Sequence, residues 1–303
     1  MVTYNCKLQK PFLKWVGGKT QIIDKIMEKF PKRIKNYHEI FLGGGSILFG
    51  LLTLQKKKII TIEGSIYAYD INQKLINVYR HIQSNKQLLF EQISKHLSIY
   101  NELEGNIVNR KPKSIKEALT SKESYYYWMR HLFNNINKNS VECSALFMII
   151  NKTCFRGLYR EGPNGFNVPF GHYKKTPSII TFEDLTYISD LIKDVNFIHA
   201  EFKESMRNIL EGDFVYLDPP YAPEDEKSFV NYTKKGFDLN SHKLLFKIIK
   251  LLPKNKCKFV LSNAKVEMVI NEFSNFNIED VIARRAINSK NPESKTMEVI
   301  IFN

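Results

Sequence analysis

Short apolar runs near both ends of the chain predict the strands of a sheet, because they are rich in β-branched and aromatic residues and are bounded by turn residues. The runs occupy residues 37–41, 66–69, 196–200, 215–217, 258–261, 278–282 and 297–302. Apolar residues at helical spacing lie on either side of the first run, at Ile22–Phe30 and Ile47–Leu54. This alternation of strands and helices favours a doubly wound α/β sheet.

A long interruption separates the first two runs from the others. After Asn72 the pattern is helical and charged, without strand–helix alternation. Turn residues at Glu161–Gly165 then join two arms rich in aromatic residues and arginine, as in a β-hairpin. We therefore predict a core of residues 1–75 and 180–303, with residues 76–179 forming an inserted helical and hairpin domain.

The run 215–217 ends in Asp218-Pro219-Pro220-Tyr221. Because proline cannot donate a ladder hydrogen bond, the strand stops there and Asp218 lies at its carboxyl end, where open α/β sheets bind ligands. The Asp218 carboxylate and the Pro219 carbonyl could accept the N–H bonds of an exocyclic amino group, while Tyr221 stacks on its nucleobase. The alternative is a proline turn that closes a core strand beside a solvated aspartate.

Two further strand ends and one helix start carry candidate ligand-binding groups. The turn Gly43–Gly45 follows the run 37–41, and Asp70 ends the second strand, where such folds hydrogen-bond ribose hydroxyls. The pair Gly17–Gly18 precedes Lys19, which can meet a carboxylate from the start of a helix. The spacing is not that of a Walker phosphate loop. For each of these features a purely structural turn is the alternative.

The net charge of +14 and the sequence pI of about 9.4 indicate a polyanionic partner, with nucleic acid favoured over an anionic membrane surface. A basic, aromatic hairpin suits a DNA groove, and a structural hairpin with exposed arginines is the alternative. No apolar run is long enough to cross a membrane, and the N-terminus lacks the apolar core of a signal peptide. Cysteines and histidines show no metal-binding spacing. We expect an intracellular protein that acts with DNA, without a metal or membrane partner.

Taken in order, the motifs resemble those of the Dam-type, or class alpha, DNA adenine-N6 methyltransferases. In that family a target-recognition insertion lies between the cofactor motif and the DPPY motif. The resemblance rests on Pro11–Lys19, Phe41–Gly45, Asp70, the hairpin Asn151–Gly171 and Asp218–Tyr221, and the residues Arg284–Asn288 and the terminal strand also match. It implies a Rossmann-like methyltransferase sheet.

The resemblance also implies S-adenosylmethionine as cofactor. Trp15 and Lys19 would lie near its methionine part, and Asp70 would hold the ribose hydroxyls. Glu201 and Phe202 would contact the adenine edge and face. The full set of implied cofactor residues is Trp15, Lys19, Phe41, Gly43, Gly45, Asp70, Glu201, Phe202 and Asp218, and the implied catalytic residues are Asp218, Pro219, Pro220 and Tyr221.

Within the hairpin, Phe155 matches the family's intercalating aromatic residue, Leu158 a contact to the outer base pair, and Arg160 the arginine that reads guanine. Arg156 departs from the pattern, since family members commonly carry asparagine there. This departure leaves the recognition sequence open, although Arg160 still allows GATC. The candidate DNA-binding residues are Phe155, Arg156, Leu158, Arg160, Pro169, Tyr173 and Lys174.

We therefore predict an enzyme that flips an adenine out of duplex DNA and methylates its exocyclic nitrogen, at a GATC-like site. An amino-methyltransferase acting on cytosine N4 or on RNA, and an inactive DNA-binding module, are the alternatives. A separate restriction endonuclease acting at the same site is a further partner to consider. The charged stretch between Ala222 and Gly236 is expected to form a loop over the site.

Overall fold

The computed structural model describes residues 7–222, 237–284 and 295–303. The expected loop between Ala222 and Gly236, and the residues after Arg284 that resemble the family, lie outside this part of the chain. The chain divides into two compact units. The first comprises residues 1–10, 19–71 and 194–303, and the second residues 11–18 and 72–193.

The described residues form the following helices and strands. The helices are α1 Ile23–Met27, α2 Ser46–Lys56, α3 Gln73–Ser84, α4 Lys86–Glu102, α5 Ile115–Ala118, α6 Lys122–Asn135, α7 Val141–Thr153, α8 Phe182–Leu191, α9 Phe202–Ser205, α10 Leu239–Ile249 and α11 Glu267–Glu272. Single 3-10 turns occupy Phe155–Gly157, Met206–Asn208 and Leu252–Asn255. The strands are β1 Arg33–Ile34, β2 Tyr37–Glu39, β3 Thr61–Ile62, β4 Ile66–Asp70, β5 Glu161–Gly162, β6 Gly165–Phe166, β7 Val195–His199, β8 Phe214–Leu217, β9 Lys258–Ala264, β10 Asn277–Arg284 and β11 Lys295–Phe302.

The first unit is built on a seven-stranded sheet in the order β10-β11-β9-β8-β2-β4-β7. Neighbours from β9 to β7 pair in parallel, and β11 pairs antiparallel with both β9 and β10. The predicted doubly wound α/β sheet is confirmed, and each of the seven predicted strands is present. The strand order reverses between β2 and β8, which is the point where such sheets bind ligands. The pair β1–β3 was not predicted, because strands of two residues are too short to show the alternation of polar and apolar positions that marks a strand.

Strand β8 is buried along its whole length, which explains its continuous apolar sequence. Val215 and Leu217 pack in the core that also contains Leu245, Phe246 and Ile249 of α10. Side chains of this size contribute about 1.5–3 kcal/mol each when fully buried. The packing therefore fixes β8, and with it the position of the residues that follow the strand.

Helix α2 begins directly after Gly45, whose backbone is left-handed at φ 71°. Nearly all of its residues are buried, and Gly50 allows α1 to approach closely. A Cβ at this position would lie 2.8 Å from Ile23 Cδ1 and 3.0 Å from Met27 Cε. Lys19 lies four residues before α1, and its backbone N–H donates to the Ser46 hydroxyl directly after the glycine turn.

The second unit is a helical bundle with a short hairpin. Helix α7 is buried on most of its surface and packs against α3, α4 and α6. Side chains of Asn72, Ser121, Ser140 and Thr181 accept N–H bonds at the starts of α3, α6, α7 and α8. Among the described residues, no helix is both long enough and apolar enough to cross a membrane.

The bounds of this unit differ from the expected insertion of residues 76–179. Helices α3 and α8 belong to it because α3 packs against α7, and α8 packs against α3 and α4. Residues 11–18 also belong to it, through hydrogen bonds in which the Asn151 side chain accepts from Lys14 N and donates to Lys14 O, at 2.9 and 2.8 Å. Contacts between residues that are more than 130 positions apart leave no local pattern in the sequence.

Candidate active site

Asp218 stands at the carboxyl end of β8 and forms an ion pair with Lys19. Lys19 Nζ lies 2.8 Å from Asp218 Oδ2, and the two side chains are 4% and 18% exposed. The Ser46 hydroxyl accepts the Lys19 backbone N–H at 3.1 Å, which ties the lysine to the start of α2. The sequence indicated that Lys19 could meet a carboxylate, and the structure identifies that carboxylate as Asp218.

Burial raises the pKa of Asp218 from its usual value to about 6, although Lys19 opposes this shift and Glu298 adds to it. The carboxylate is therefore ionised at neutral pH but is a stronger proton acceptor than an aspartate in water. A desolvated acceptor also forms stronger hydrogen bonds than a hydrated one. The arrangement suits a group that must bind N–H donors of a ligand.

A second carboxyl, Glu39 of β2, lies near Asp218 and was not identified from the sequence. It is 1% exposed, and Tyr37 Oη donates to its Oε2 at 2.7 Å. Burial raises its pKa to about 8; the Tyr37 hydrogen bond opposes the shift, and the charge of Asp218 adds to it. Glu39 is therefore largely protonated at neutral pH, which leaves Asp218 as the anion of this pair.

Tyr221 and Ala222 are fastened to two neighbouring strands. Tyr221 Oη donates to Glu298 Oε2 of β11 at 2.7 Å, and the Ala222 N–H donates to Asn263 Oδ1 of β9 at 3.2 Å. Lys19 Nζ also lies 4.8 Å from the centre of the Tyr221 ring. The structure thus brings three predicted residues together, and adds two that have no local motif.

The glycine turn and Asp70 form a second part of the site. Gly43 and Gly45 have φ of 51° and 71°, a left-handed backbone that glycine adopts readily. The Gly43 N–H donates to Asp70 Oδ2 at 2.9 Å, and the Leu42 N–H donates to the Tyr69 carbonyl at 2.8 Å. The half-buried Asp70 carboxylate is therefore held at the tip of β4 beside the turn.

Aromatic side chains gather at the same edge of the sheet. Phe41, after β2, stacks on Phe202 with ring centres 6.2 Å apart, and Phe237 packs edge-on against Phe41 at 5.8 Å. Glu201 is exposed and directly precedes α9. The sequence did not identify Phe237 as a site residue, because it follows a charged stretch and belongs to no strand pattern.

The candidate DNA-binding residues lie in the second unit, along the segment 155–174. Outward and inward residues alternate in its returning arm, where Phe166 and Val168 are buried and Asn167 and Pro169 are exposed. Leu158 is half-buried, and the remaining candidates are exposed, namely Phe155, Arg156, Arg160, Pro169, Tyr173 and Lys174. The expected β-ribbon is shorter than predicted, since β5 and β6 have two residues each and a single further bridge joins Cys154 to Phe170.

Arg156, the residue that departs from the family pattern, has a left-handed backbone with φ of 56°. Asparagine adopts this conformation more readily than arginine does, so the backbone here would suit the asparagine that the resemblance implies. The Arg156 guanidinium lies over the Phe155 ring at 5.2 Å. Arg156 therefore adds an exposed positive charge where the family pattern has a neutral amide.

Two further predicted residues have partners within the second unit. Trp15 stacks on Tyr159 at 5.5 Å, and the cofactor role given to it by the resemblance stays a prediction. Tyr173 Oη donates to the Cys154 carbonyl at 2.8 Å and lies 3.3 Å from Lys14 Nζ, so it also fastens the hairpin. Across the described ranges, no cluster of His, Cys, Asp and Glu could hold a metal ion.

Comparison with known proteins identifies the family of the chain. The model of the D12 class N6 adenine-specific DNA methyltransferases matches residues 15–287. The chain belongs to this family. As an adenine-specific DNA methyltransferase, it has its predicted acceptor, Asp218, and its glycine turn on adjacent strands of the sheet.

Curated relatives of this DNA methyltransferase cover nearly its whole length. The chain is 37% identical to the type II methyltransferase M.MjaIII of Methanocaldococcus jannaschii, over 97% of this chain and 99% of that protein. It is 32% identical to the type II methyltransferase M1.LlaDCHI of Lactococcus lactis subsp. cremoris, over 97% and 95%. It is 28% identical to the DNA adenine methylase of Haemophilus influenzae, over 94% and 90%.

Proposed function

We propose that the chain transfers a methyl group from S-adenosylmethionine to N6 of an adenine that is flipped out of duplex DNA. One observation carries this proposal, namely the ion pair of buried Lys19 with half-buried Asp218 beside the Tyr221 ring at the end of β8. Because adenine N6 lies inside a base pair, the base must leave the stack to reach such a group.

The residues at the sheet edge fit S-adenosylmethionine. The half-buried Asp70 carboxylate is suited to accept ribose hydroxyls, and Phe41 and Phe202 offer aromatic faces for the adenine ring. The left-handed backbone at Gly43 and Gly45 allows a close approach of the ligand. When bound, S-adenosylmethionine supplies a methyl group activated by its sulfonium charge.

Asp218 acts as the acceptor for the target amino group. The lone pair of N6 is conjugated with the adenine ring, and acceptors placed for its two N–H bonds favour a pyramidal nitrogen. We assign one acceptor to the Asp218 carboxylate and the other to the Pro219 carbonyl. Lys19 orients the carboxylate and opposes the rise in its pKa, so that it stays ionised near neutral pH. Such preorganised groups contribute about 10²–10³-fold each.

Tyr221 and the proton complete the proposed chemistry. The Tyr221 ring provides the face on which the flipped adenine stacks. The proton that N6 loses after transfer can reside on Asp218, whose pKa is about 6, before it passes to water. Much of the remaining acceleration comes from alignment of the nitrogen with the methyl carbon.

We assign the first unit to catalysis and the hairpin of the second to sequence recognition. Arg160 Nε donates to Asn167 Oδ1 at 2.7 Å, a contact that does not use the two terminal nitrogens of the guanidinium. A planar pair of donors matches O6 and N7 of guanine. We therefore propose a short site that contains guanine, with GATC favoured. Lys174 is assigned to phosphate, since an ammonium is a compact point charge.

The product of the reaction tests the function. Duplex DNA incubated with the protein and labelled S-adenosylmethionine should yield N6-methyladenine on nucleoside analysis. N4-methylcytosine or methylated RNA would support the alternative amino-methyltransferases. Tight duplex binding without detectable binding of S-adenosylmethionine in a titration would support the inactive DNA-binding module.

Paired hairpin variants test the recognition. Arg160→Ala should cost about 1–3 kcal/mol of discrimination at one base pair, because it removes a bidentate contact. Lys174→Ala should weaken binding to all duplexes alike. It should also reduce the slope of log affinity against log salt concentration by about one unit. Methylation of singly substituted sites at two salt concentrations separates the two effects. Equal loss on every site in Arg160→Ala would make Arg160 a phosphate contact.

The names of two relatives raise the question of a restriction partner. Both are type II methyltransferases. We propose that this chain can likewise protect its site from a separate restriction endonuclease, inside the cell and on DNA. Digestion of methylated plasmid by enzymes of known specificity tests this and also reads out the site, because only the matching endonuclease should be blocked.

A further inference from the structure

We propose that Glu298 is a positioning residue for the target base, because it holds the Tyr221 ring through the tyrosine hydroxyl. The inference rests on the proposed function, in which this ring stacks on the flipped adenine. Glu298 lies in β11, near the end of the chain and 77 residues from Tyr221. It belongs to none of the motifs that carry the predicted site.

The hydrogen bond between the two residues is short and partly buried. Tyr221 Oη donates to Glu298 Oε2 at 2.7 Å. The bond is made at the hydroxyl, which is the end of the side chain farthest from the backbone. It fixes the far end of a ring whose near end is attached to a turn, so that rotation about the side-chain torsions is restricted.

The sheet register explains why Glu298 is in reach. Glu298 pairs with Ala264 at the end of β9, in the antiparallel ladder between β11 and β9. The preceding residue of β9, Asn263, accepts the Ala222 N–H through Oδ1. Two adjacent strands therefore hold the turn after β8, one through the backbone at Ala222 and the other through the ring of Tyr221.

The contact also acts on the acceptor. Lys19 lies over the Tyr221 ring and pairs with Asp218, so ring, cation and carboxylate form one cluster. Of the charged groups that face Asp218, Lys19 lowers its pKa and the Glu298 carboxylate raises it. The buried Glu39 is largely neutral at pH 7, because its pKa is raised to about 8. Glu298 thus influences both the ring and the acceptor.

Three substitutions separate these effects. Tyr221→Phe keeps the ring and removes the hydroxyl, Glu298→Leu removes the acceptor, and Glu298→Gln keeps an acceptor without the charge. Glu272→Gln is the control, since this carboxylate forms a surface ion pair with Lys250 in the same unit. Steady-state methylation gives KM for DNA and kcat for each protein, at pH values from 5 to 8.

We expect Tyr221→Phe and Glu298→Leu each to raise KM for DNA by about three- to tenfold, with a smaller change in kcat. The double variant should be no worse than the poorer single one, because both remove the same bond. Glu298→Gln should keep KM within about twofold of wild type and move the acid midpoint of the pH–rate profile to lower pH. The control should match wild type in every respect.

Additive losses in the double variant would overturn the proposal, and so would a Glu298→Gln protein whose KM rises as much as that of Glu298→Leu. If Glu298→Leu fails to fold, Tyr221→Phe and Glu298→Gln still decide, since the first must raise KM and the second must shift only the pH profile. Failure of the proposed function is distinguishable, because wild-type protein would then methylate no adenine at all.

Discussion

Strand β8 carries an aspartate at each end, and the two ends of the strand differ in how that carboxylate is used. Asp213, before the strand, is 1% exposed and accepts from Asn36 Nδ2 at 2.8 Å and from the Leu210 N–H at 2.9 Å. His38 Nε2 lies 3.0 Å from it. Asp218, after the strand, pairs with Lys19 and keeps some exposure.

The difference separates a carboxylate held within the fold from the one that we propose is catalytic. At the Asp213 end, donors from three neighbouring segments satisfy the charge, and burial lowers the pKa of His38 although Asp213 opposes this. At the Asp218 end, the pKa of the carboxyl is raised to about 6, mainly by burial. A carboxylate saturated by the protein stabilises the fold, whereas one with remaining acceptor capacity can bind a substrate donor.

The largest expected effect belongs to the structural end. Asp213→Ala should lower the free energy of unfolding by about 4 kcal/mol, because it leaves buried donors without their acceptor. Urea denaturation followed by circular dichroism measures this. Methyl transfer per folded molecule should stay near the wild-type rate. A protein as stable as wild type would show that the Asp213 network is not structural.

A change at the tip of β4 should affect cofactor binding alone. Asp70→Ala should weaken the binding of S-adenosylmethionine by roughly 2–4 kcal/mol, because two charge-assisted hydrogen bonds to the ribose are lost. Duplex binding should be largely unchanged. Calorimetry gives the affinity, and Asp70→Asn is the matched control because its amide oxygen can still accept the Gly43 N–H. Unchanged cofactor affinity in Asp70→Ala would refute the ribose role.

The buried Glu39, which lies near Asp218, should make the free energy of unfolding depend on pH. Its pKa is about 8 in the folded protein and 4.5 in the unfolded reference, so the folded state binds more protons between these values. Stability is therefore lost as pH rises through this window. Glu39→Gln should remove the loss and gain roughly 2–3 kcal/mol relative to wild type between pH 5 and pH 7. Equal pH dependence in both proteins would contradict this.

The smallest expected effect is the fall of kcat at acid pH. Because Asp218 must be ionised to accept N–H bonds, kcat should fall below a midpoint near pH 6, the pKa to which burial raises its carboxyl. Each further pH unit should cost about tenfold. A stopped assay at constant ionic strength gives the profile. A rate that stays level down to pH 4.5 would place the acceptor elsewhere.

The strands and their ends were predictable because they depend on local sequence. Apolar runs marked each strand of the main sheet, and the two prolines marked the end of β8. The position of Asp70 at a strand tip followed from the same pattern. These features require only the residues within a few positions of one another.

The partners of the site residues were not predictable in this way. Glu39 reads as part of an ordinary strand, and Glu298 as part of another, yet the fold brings both near Asp218. Asn151 holds Lys14 across 137 residues of sequence, which placed residues 11–18 in an unexpected unit. Pairing over such distances depends on tertiary packing, for which a single sequence carries no periodic signal.

The most direct test compares Asp218→Asn with Asp213→Asn in one methylation assay at saturating DNA and S-adenosylmethionine. Each change removes one negative charge from one end of β8 and preserves size. Asp218→Asn should lower kcat by about 10²–10³-fold per folded molecule. Asp213→Asn should keep kcat within about twofold while it is folded. Wild-type turnover in Asp218→Asn would contradict the catalytic assignment.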